Sequence, residues 1–320
     1  MNAHRLSSLA RPLAGLTAFV TLTLFASASS AAPAREAGQL MKTSWGNLYY
    51  EIRGRGEATP LFMVNGGPGF SHDYVHCSEA WDDLAAHRRV IFYDQRGTGR
   101  STRLHKGMTC TLADQIADLE ALRAHLGIAK MDLLGHSWGG YLVMAYAARH
   151  PEHIAHLMIV DSAAPKWQDT VFLFKDVFPE GMERQASVAF AEALGDSTAQ
   201  DTDLLEYFPM LFYSPEKRDQ FMANANPKAY QHEVNEQVDT DVRRFDLNPE
   251  LPKFKFPTLV ITGRYDMNVA PSVAWKIHQA IPGSRYHVFE KSGHLPYFEE
   301  RAEFVSVIEE FLSGRQSSAR

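Results

Sequence analysis

The stretch LLGHSWGGYL, residues 133–142, decides how this chain is expected to fold. An apolar run stops at Gly135, Ser137 follows among three glycines, and apolar residues then resume. The pattern fits G-x-S-x-G between a predicted strand and a predicted helix. Such a tight turn needs small neighbours because the serine backbone is strained, and it leaves the hydroxyl exposed at the start of a helix. An ordinary turn is the alternative, but the context favours Ser137 as a nucleophile.

Strands and helices alternate on both sides of this turn. The strand segments are continuously apolar instead of alternating with polar residues, which indicates a parallel sheet covered by helices on both faces. We therefore predict an α/β fold. The predicted strands are residues 47–52, 60–64, 89–93, 131–134, 156–160, 258–262 and 286–289, and the predicted helices are residues 111–126, 138–149, 272–280 and 302–312.

A nucleophilic serine needs a base and a residue that orients the base. In this arrangement the chain order is serine, then an acid, then histidine. Asp266 follows the strand TLVITGRY, and His294 lies in KSGHLPY after the last predicted strand. His278 and His287 are alternatives for the base, but they fall within a predicted helix and a predicted strand. Asp266 could instead cap the next helix, and His294 could be a surface histidine.

The oxyanion of the reaction needs two backbone N–H donors. One is predicted at Trp138, directly after the serine. The loop NGGPG, which starts at Asn65 after a buried strand, can approach a substrate closely because glycine has no side chain. Gly67 is the preferred second donor, and a plain connecting loop is the alternative.

Residues 165–250 interrupt the alternation of strands and helices. The segment is rich in helix formers and phenylalanine, which predicts a helical cap inserted between two strands. From Lys166 to Glu250 it holds 17 acidic against 8 basic residues, a net charge of −9 in a chain whose formal net charge is −6. Such a field favours a cationic ligand, although a solvated helical surface would have the same composition.

The N-terminal 32 residues are expected to be a cleavable signal peptide. Arg5 and Arg11 precede the mostly apolar run 13–25, and small residues follow. A membrane anchor is the alternative, but the run is shorter than the roughly 20 residues of a membrane span. We therefore expect export to the periplasm or the medium, where Cys77 and Cys110 could form a disulfide or stay separate thiols. Without a basic run or metal-ligand spacing, neither nucleic acid nor structural zinc is indicated.

The motifs together resemble the α/β-hydrolase superfamily and, more narrowly, the proline iminopeptidase (prolyl aminopeptidase) family of serine peptidases. The matching stretches are NGGPGFSHDY, YDQRGTGRST, GHSWGGYL, ITGRYDMNVAP and GHLPYFEE, spread over about residues 60–310. The resemblance implies a core of residues 33–164 and 251–320, a cap of residues 165–250, and no metal or organic cofactor. It also implies that Ser137 is the nucleophile, Asp266 the orienting acid and His294 the base.

The same resemblance implies the substrate, a peptide with a free N-terminal amine whose proline or other small apolar residue is released. Family members bind this amine with cap carboxylates. Glu236, in HEVNEQV, fits best by position, and Glu206 or Asp203 is the second candidate. One departure is Asn65, where the family usually has histidine, and it is expected to alter hydrogen bonds behind the oxyanion loop.

Two other functions share these residues. One is an esterase, lactonase or amidase with the same triad and a different pocket. The other is a ligand-binding protein that retains the fold without turnover, which an intact triad disfavours. If His294 is the base, its ordinary pKa predicts activity that rises with pH through roughly 6 to 7.

Overall fold

The computed structural model describes residues 37–193, 199–224 and 230–314. The predicted signal peptide lies outside these residues. Eight strands form one sheet with the spatial order β1-β2-β4-β3-β5-β6-β7-β8. The strands are β1 (Gln39–Thr43), β2 (Gly46–Arg53), β3 (Ala58–Val64), β4 (Arg88–Tyr93), β5 (Met131–His136), β6 (Ile154–Val160), β7 (Thr258–Gly263) and β8 (Arg285–Phe289).

The sheet is mostly parallel, as predicted. Strands β4, β3, β5, β6, β7 and β8 pair in parallel, and β1 and β2 add an antiparallel edge. All seven predicted strands are present, with ends shifted by at most two residues. The eighth strand, β1, was not predicted. Its sequence, QLMKT, buries only Met41, as expected of an edge strand with little apolar signal.

Helices cover both faces of the sheet. Along β3 the side chains of Leu61 and Met63 enter one apolar cluster, and those of Phe62 and Val64 enter the other. Continuous apolar strands therefore bury both faces. The helices are α1 (Asp73–His76), α2 (Ala80–Ala85), α3 (Leu112–His125), α4 (Trp138–Arg149), α5 (Phe174–Val177), α6 (Pro179–Ala193), α7 (Ala199–Tyr207), α8 (Pro215–Asn224), α9 (His232–Val242), α10 (Pro271–Ala280), α11 (Pro296–Glu299) and α12 (Arg301–Leu312).

Between β6 and β7 the chain forms helices α5 to α9 and short 3₁₀ turns at Trp167–Asp169, Phe208–Leu211 and Leu251–Lys253. This interval is helical, as its composition predicts, while the exact division into core and cap stays a prediction. Among the described helices, none combines the length and apolar character needed to cross a bilayer.

The two cysteines do not pair in this structure. Cys77 and Cys110 are both free thiols and pack with different apolar clusters. The Cys77 thiol donates to the carbonyl of Tyr74 over 3.1 Å. Burial raises the pKa of each thiol to about 12, so neither forms a reactive thiolate near neutral pH.

We therefore expect both thiols to be masked in the folded protein. Ellman's reagent should modify them slowly under native conditions and should titrate two thiols per chain after denaturation in guanidinium. Reducing agent should leave the melting temperature unchanged. A denatured protein that shows no titratable thiol until it is reduced would contradict the separate placement of the two residues.

Candidate active site

Ser137 sits at a strained turn between β5 and α4. Its backbone has φ 59° and ψ −122°, a region that residues with a side chain rarely occupy. A Cβ on Gly135 would lie 2.2 Å from the carbonyl oxygen of Gly139, and one on Gly139 would lie 2.1 Å from that of Val64. The glycines are therefore required by backbone packing, and Ser137 is the one half-exposed residue in an otherwise buried stretch.

His294 and Asp266 meet at the carboxyl ends of the strands, where the order of the chain predicts them. His294 Nδ1 lies 2.7 Å from Asp266 Oδ2, and both side chains are buried. Asp266 Oδ1 accepts hydrogen bonds from the backbone N–H groups of Asn268 and Val269, each at 2.9 Å. These bonds fix the carboxylate in place, so that it orients the imidazole.

The proton on the His294 ring is placed by its partners. Burial lowers the pKa of His294 to about 3, so the ring is neutral near pH 7. Its Nδ1–H donates to Asp266, which leaves a lone pair on Nε2. The amide nitrogen of Asn268 lies 3.1 Å from Nε2, and among the described residues the Ser137 hydroxyl has no hydrogen-bond partner. A small shift of the imidazole or of the Asn268 amide would allow the Ser137 hydroxyl to hydrogen-bond to Nε2. Catalytic hydrogen bonds are often long or misaligned when substrate is absent.

The oxyanion loop follows β3. Within the described parts of the chain, the N–H groups of Gly67 and Trp138 have no acceptor, whereas the N–H of Gly66 donates to the Tyr74 hydroxyl over 2.5 Å. Gly67 has φ +125°, which favours glycine. The Asn65 amide donates to the carbonyls of Gly66 and Phe70, each at 3.0 Å. Asn65 thus braces the loop from behind and leaves both predicted N–H groups available.

One chain of hydrogen bonds joins the three loops of the site. The Tyr74 hydroxyl, which accepts from Gly66, lies 2.8 Å from His136 Nδ1, and His136 Nε2 lies 2.7 Å from the carbonyl of His294. Tyr74 therefore donates to Nδ1, and Nε2–H donates to the His294 carbonyl. Burial, with a further effect of His294, lowers the pKa of His136 well below its ordinary value, which keeps the ring neutral for this double role.

Gln95 supplies a second brace. Its amide nitrogen donates to the carbonyl of Asn65 over 2.8 Å, and its amide oxygen accepts from the indole of Trp138 over 2.9 Å. Sequence reasoning assigned no role to Tyr74, His136 or Gln95. All three lie inside the motifs NGGPGFSHDY, YDQRGTGRST and GHSWGGYL, which indicate the site through other residues, so their positions in these motifs are the signal that could have identified them.

Glu299 links the base loop to the helical insertion. Its carboxylate accepts from the N–H groups of Tyr213, Ser214 and Gly293 at 2.6–2.9 Å. The N–H of His294 also donates to the carbonyl of Leu211 over 2.7 Å. Burial raises the pKa of Glu299 to about 7, against the opposing effect of the three N–H donors.

The three acids proposed for the substrate amine lie in different surroundings. Glu236 is exposed on α9, on the side opposite the buried Val234 and Val238, and no hydrogen bond or ion pair of the described residues joins it to the triad. Glu206 is paired with Arg184 at 2.6 Å. Asp203 is half-buried and accepts from the Gln185 amide over 3.1 Å.

The charges of Asp203 and of the triad acid Asp266 both act on Tyr207. Burial, followed by the charge of Asp266 and smaller effects that include Asp203, raises the pKa of Tyr207. The side chain of Asn268, whose amide nitrogen lies 3.1 Å from His294 Nε2, acts on Tyr207 in the opposite direction and lowers its pKa. Asp203 therefore acts on the same tyrosine as the triad acid Asp266 does.

A cluster of Glu51, His72 and His76 has the residue types of a metal site. However, Arg100 Nη1 lies 3.6 Å from Glu51 Oε1, and Arg100 Nη2 lies 3.4 Å from His72 Nε2. His72 Nδ1 is also bound to Asp94 at 2.7 Å. The guanidinium already supplies the positive charge, so the arrangement is that of an internal ion-pair network.

The lowered pKa of His294 corrects the expectation of a rise in activity between pH 6 and 7. The neutral ring is the active form, and a lower pKa of His294 keeps the ring neutral down to a lower pH. We expect the rate at which a fluorophosphonate labels Ser137 to rise with pH along a limb below pH 6 and to be flat from about pH 6 to 8. The measurement is the second-order labelling rate from pH 4 to 9. A limb with its midpoint at 6.5 or above would contradict it.

Comparison with known proteins agrees with this geometry. A sequence model of the alpha/beta hydrolase fold matches residues 59–301. The chain is 33% identical over 288 residues to a proline iminopeptidase of Lactobacillus helveticus, covering 82% of this chain and 93% of the relative. It is 32% identical to the proline iminopeptidase of Saccharolobus solfataricus, covering 83% and 89%.

Solved structures match the fold. An alpha/beta fold family hydrolase from Bacillus anthracis superposes with a TM-score of 0.70 at 24% identity, covering 87% of this chain and 100% of that structure. An esterase from Exiguobacterium antarcticum does so with a TM-score of 0.68 at 24% identity and the same coverage. With the sequence matches, these findings show that the chain belongs to the α/β-hydrolase fold family and, within it, to the proline iminopeptidases.

Proposed function

We propose that this enzyme releases N-terminal proline from peptides through an acyl-enzyme on Ser137. The observation that carries the proposal is the strained, half-exposed Ser137 on the same sheet edge as the His294–Asp266 pair, whose ring and carboxylate are 2.7 Å apart. The curated relatives named proline iminopeptidase supply the substrate class.

The chemistry follows from the positions of these groups. His294 Nε2 takes the proton of the Ser137 hydroxyl as Oγ attacks the carbonyl of the first residue. The N–H groups of Gly67 and Trp138 stabilise the oxyanion. His294 then gives its proton to the departing amine, and a water molecule, activated by the same nitrogen, hydrolyses the ester. Asp266 holds the ring in the tautomer that both steps require.

Asp203 is the proposed anchor for the substrate's amine. A peptide N-terminus is largely cationic near neutral pH, and a charge-assisted hydrogen bond to a carboxylate would fix its distance from Ser137. Asp203 is half-buried, and its charge acts on the same tyrosine as that of Asp266, whereas Glu236 is exposed. The surroundings of Asp203 therefore suit a role in recognition better.

Aromatic side chains beside the oxyanion loop suit the apolar ring of proline. The ring centroid of Phe70 lies 4.7 Å from that of Tyr230 and 5.5 Å from that of Phe208. The backbone of Gly69 is hydrogen-bonded to Gln231, so this group is attached to the loop that carries Gly67. Contact with these rings would favour a compact apolar first residue over a charged one.

Export also belongs to this proposal. Its support is the sequence of residues 1–32, a basic head followed by an apolar run and small residues. Fractionation of cells that express the full chain, with N-terminal sequencing of the mature product, would test it.

Replacing Ser137 with alanine tests the mechanism. We expect Ser137→Ala to fold normally and to lower kcat by several orders of magnitude on both prolyl naphthylamide and p-nitrophenyl acetate, because no acyl acceptor remains. The wild type should hydrolyse prolyl naphthylamide but not its N-blocked form. Normal turnover by the variant, or a preference for the blocked substrate, would refute the peptidase assignment.

A matched pair of neutral variants tests the amine site. Removing one partner of a desolvated charge pair typically costs about 2–5 kcal/mol, so Asp203→Asn should lower kcat/KM for prolyl naphthylamide by at least about tenfold. Its activity on p-nitrophenyl acetate, which has no amine, should change little. Glu236→Gln removes an exposed charge from the same insertion and should leave both activities near those of the wild type.

The comparison separates recognition from folding. Equal losses on both substrates in Asp203→Asn would indicate a disturbed insertion. A loss of activity on prolyl naphthylamide alone in Glu236→Gln, with Asp203→Asn unaffected, would assign the amine site to Glu236, as the family resemblance implies.

A further inference from the structure

We propose that Asp161 is a second acid of the catalytic assembly, a protonated carboxyl that donates a hydrogen bond to ionised Asp266 and so positions the carboxylate that orients His294. This inference rests on the proposed serine-hydrolase mechanism. It adds a positioning residue that the motifs did not reveal.

The backbone holds Asp161 in an unusual conformation. It follows β6 directly and has φ +47°, and among the described residues other than glycine only Ser137 shares a positive φ. Its N–H donates to the carbonyl of Ile261 over 3.0 Å, and the N–H of Gly263 donates to its Oδ1 over 2.8 Å. These two bonds to β7 hold the carboxyl between β6 and β7, on the sheet edge that carries the triad.

The carboxyl is turned towards the triad. A side-chain oxygen of Asp161, one of Asp266 and a ring nitrogen of His294 all lie within 4.8 Å of one another. Asp161 is 1% exposed and Asp266 is completely buried. Within the described part of the chain no hydrogen-bond partner reaches Asp161 Oδ2, so this oxygen is available to interact with the neighbouring carboxyl of Asp266.

Two buried carboxyls at this separation share one proton, because two adjacent negative charges in a dry site repel each other strongly. Burial and the charge of Asp266 raise the pKa of Asp161 well above its ordinary value. The other titratable groups that sense its charge are Tyr286 on β8 and Tyr297 on α11, both neutral near pH 7. No described cation faces Asp161 to hold it ionised.

The number of hydrogen-bond donors decides which acid carries the charge. Asp266 accepts from two backbone N–H groups and from the His294 ring, whereas the ionised form of Asp161 is favoured by two groups, the Gly263 N–H and the Thr262 side chain. Burial raises the pKa of Asp266, and its hydrogen bonds, the one from Asp161 included, act in the opposite direction. The negative charge therefore resides on Asp266, and the proton on Asp161 forms the bond between the two acids.

Amide variants distinguish the two acids, because an asparagine reproduces a protonated aspartic acid but not an ionised one. Asp161→Asn keeps the acceptor for Gly263 and a donor for Asp266, so kcat/KM on p-nitrophenyl acetate should stay within about fivefold of the wild type. Asp266→Asn should lose about 10³-fold or more, since the His294 tautomer is disturbed. Asp161→Ala has no donor and should lose at least about tenfold.

The pH profile separates positioning from mere support of the fold. Without the hydrogen bond from Asp161, the charge on Asp266 is less dispersed and stabilises the protonated His294 ring more strongly. In Asp161→Ala the acid limb of kcat/KM should therefore move to higher pH by about one unit, while Asp161→Asn should restore the wild-type profile. Melting temperatures of all variants are measured alongside.

Three results would contradict the proposal. If Asp161→Asn loses as much activity as Asp266→Asn, then Asp161 carries charge and the assignment of the proton is wrong. If Asp161→Ala lowers only the melting temperature and leaves the acid limb in place, Asp161 is structural. If Asp161→Ala does not fold, the contrast between the two asparagine variants decides. Full activity of Asp266→Asn would instead refute the triad itself.

Discussion

The site depends on the neutral imidazole of His136. This ring accepts from Tyr74 on one side and donates to the carbonyl of His294 on the other, while Tyr74 itself accepts from Gly66. The oxyanion loop, the nucleophile turn and the base loop are thereby joined although they are far apart in the chain. A proton added to Nδ1 would turn this nitrogen from an acceptor into a donor and leave the Tyr74 O–H without its acceptor. Burial prevents this by keeping the ring uncharged.

Much of this arrangement could be predicted from the sequence. Continuous apolar runs identify the parallel strands because a strand buried on both faces cannot alternate with polar residues. The order of Ser137, Asp266 and His294 then predicts one shared edge, since parallel strands end on the same side of the sheet. The edge strand β1 was missed because it buries a single side chain, so its apolar pattern is weak.

The parts that could not be predicted depend on contacts between distant residues. The rotation of α9 about its axis follows from the burial of Val234 and Val238, and it leaves Glu236 exposed despite the local likeness to an amine-binding stretch. The positive φ of Asp161 follows from its bonds to β7, and the residues around position 161 do not predict it. The protonation of His294 also departs from its ordinary behaviour because its burial becomes visible only in the fold.

Glu299 couples the helical insertion to the loop that carries the base. The same carboxylate holds the backbone at Tyr213 and Ser214, in the insertion, and at Gly293, directly before the base. A motion that lifts this part of the insertion must either break these bonds or pull the base loop with it. The position of the base is therefore coupled to the position of the insertion through a single carboxylate that belongs to neither segment.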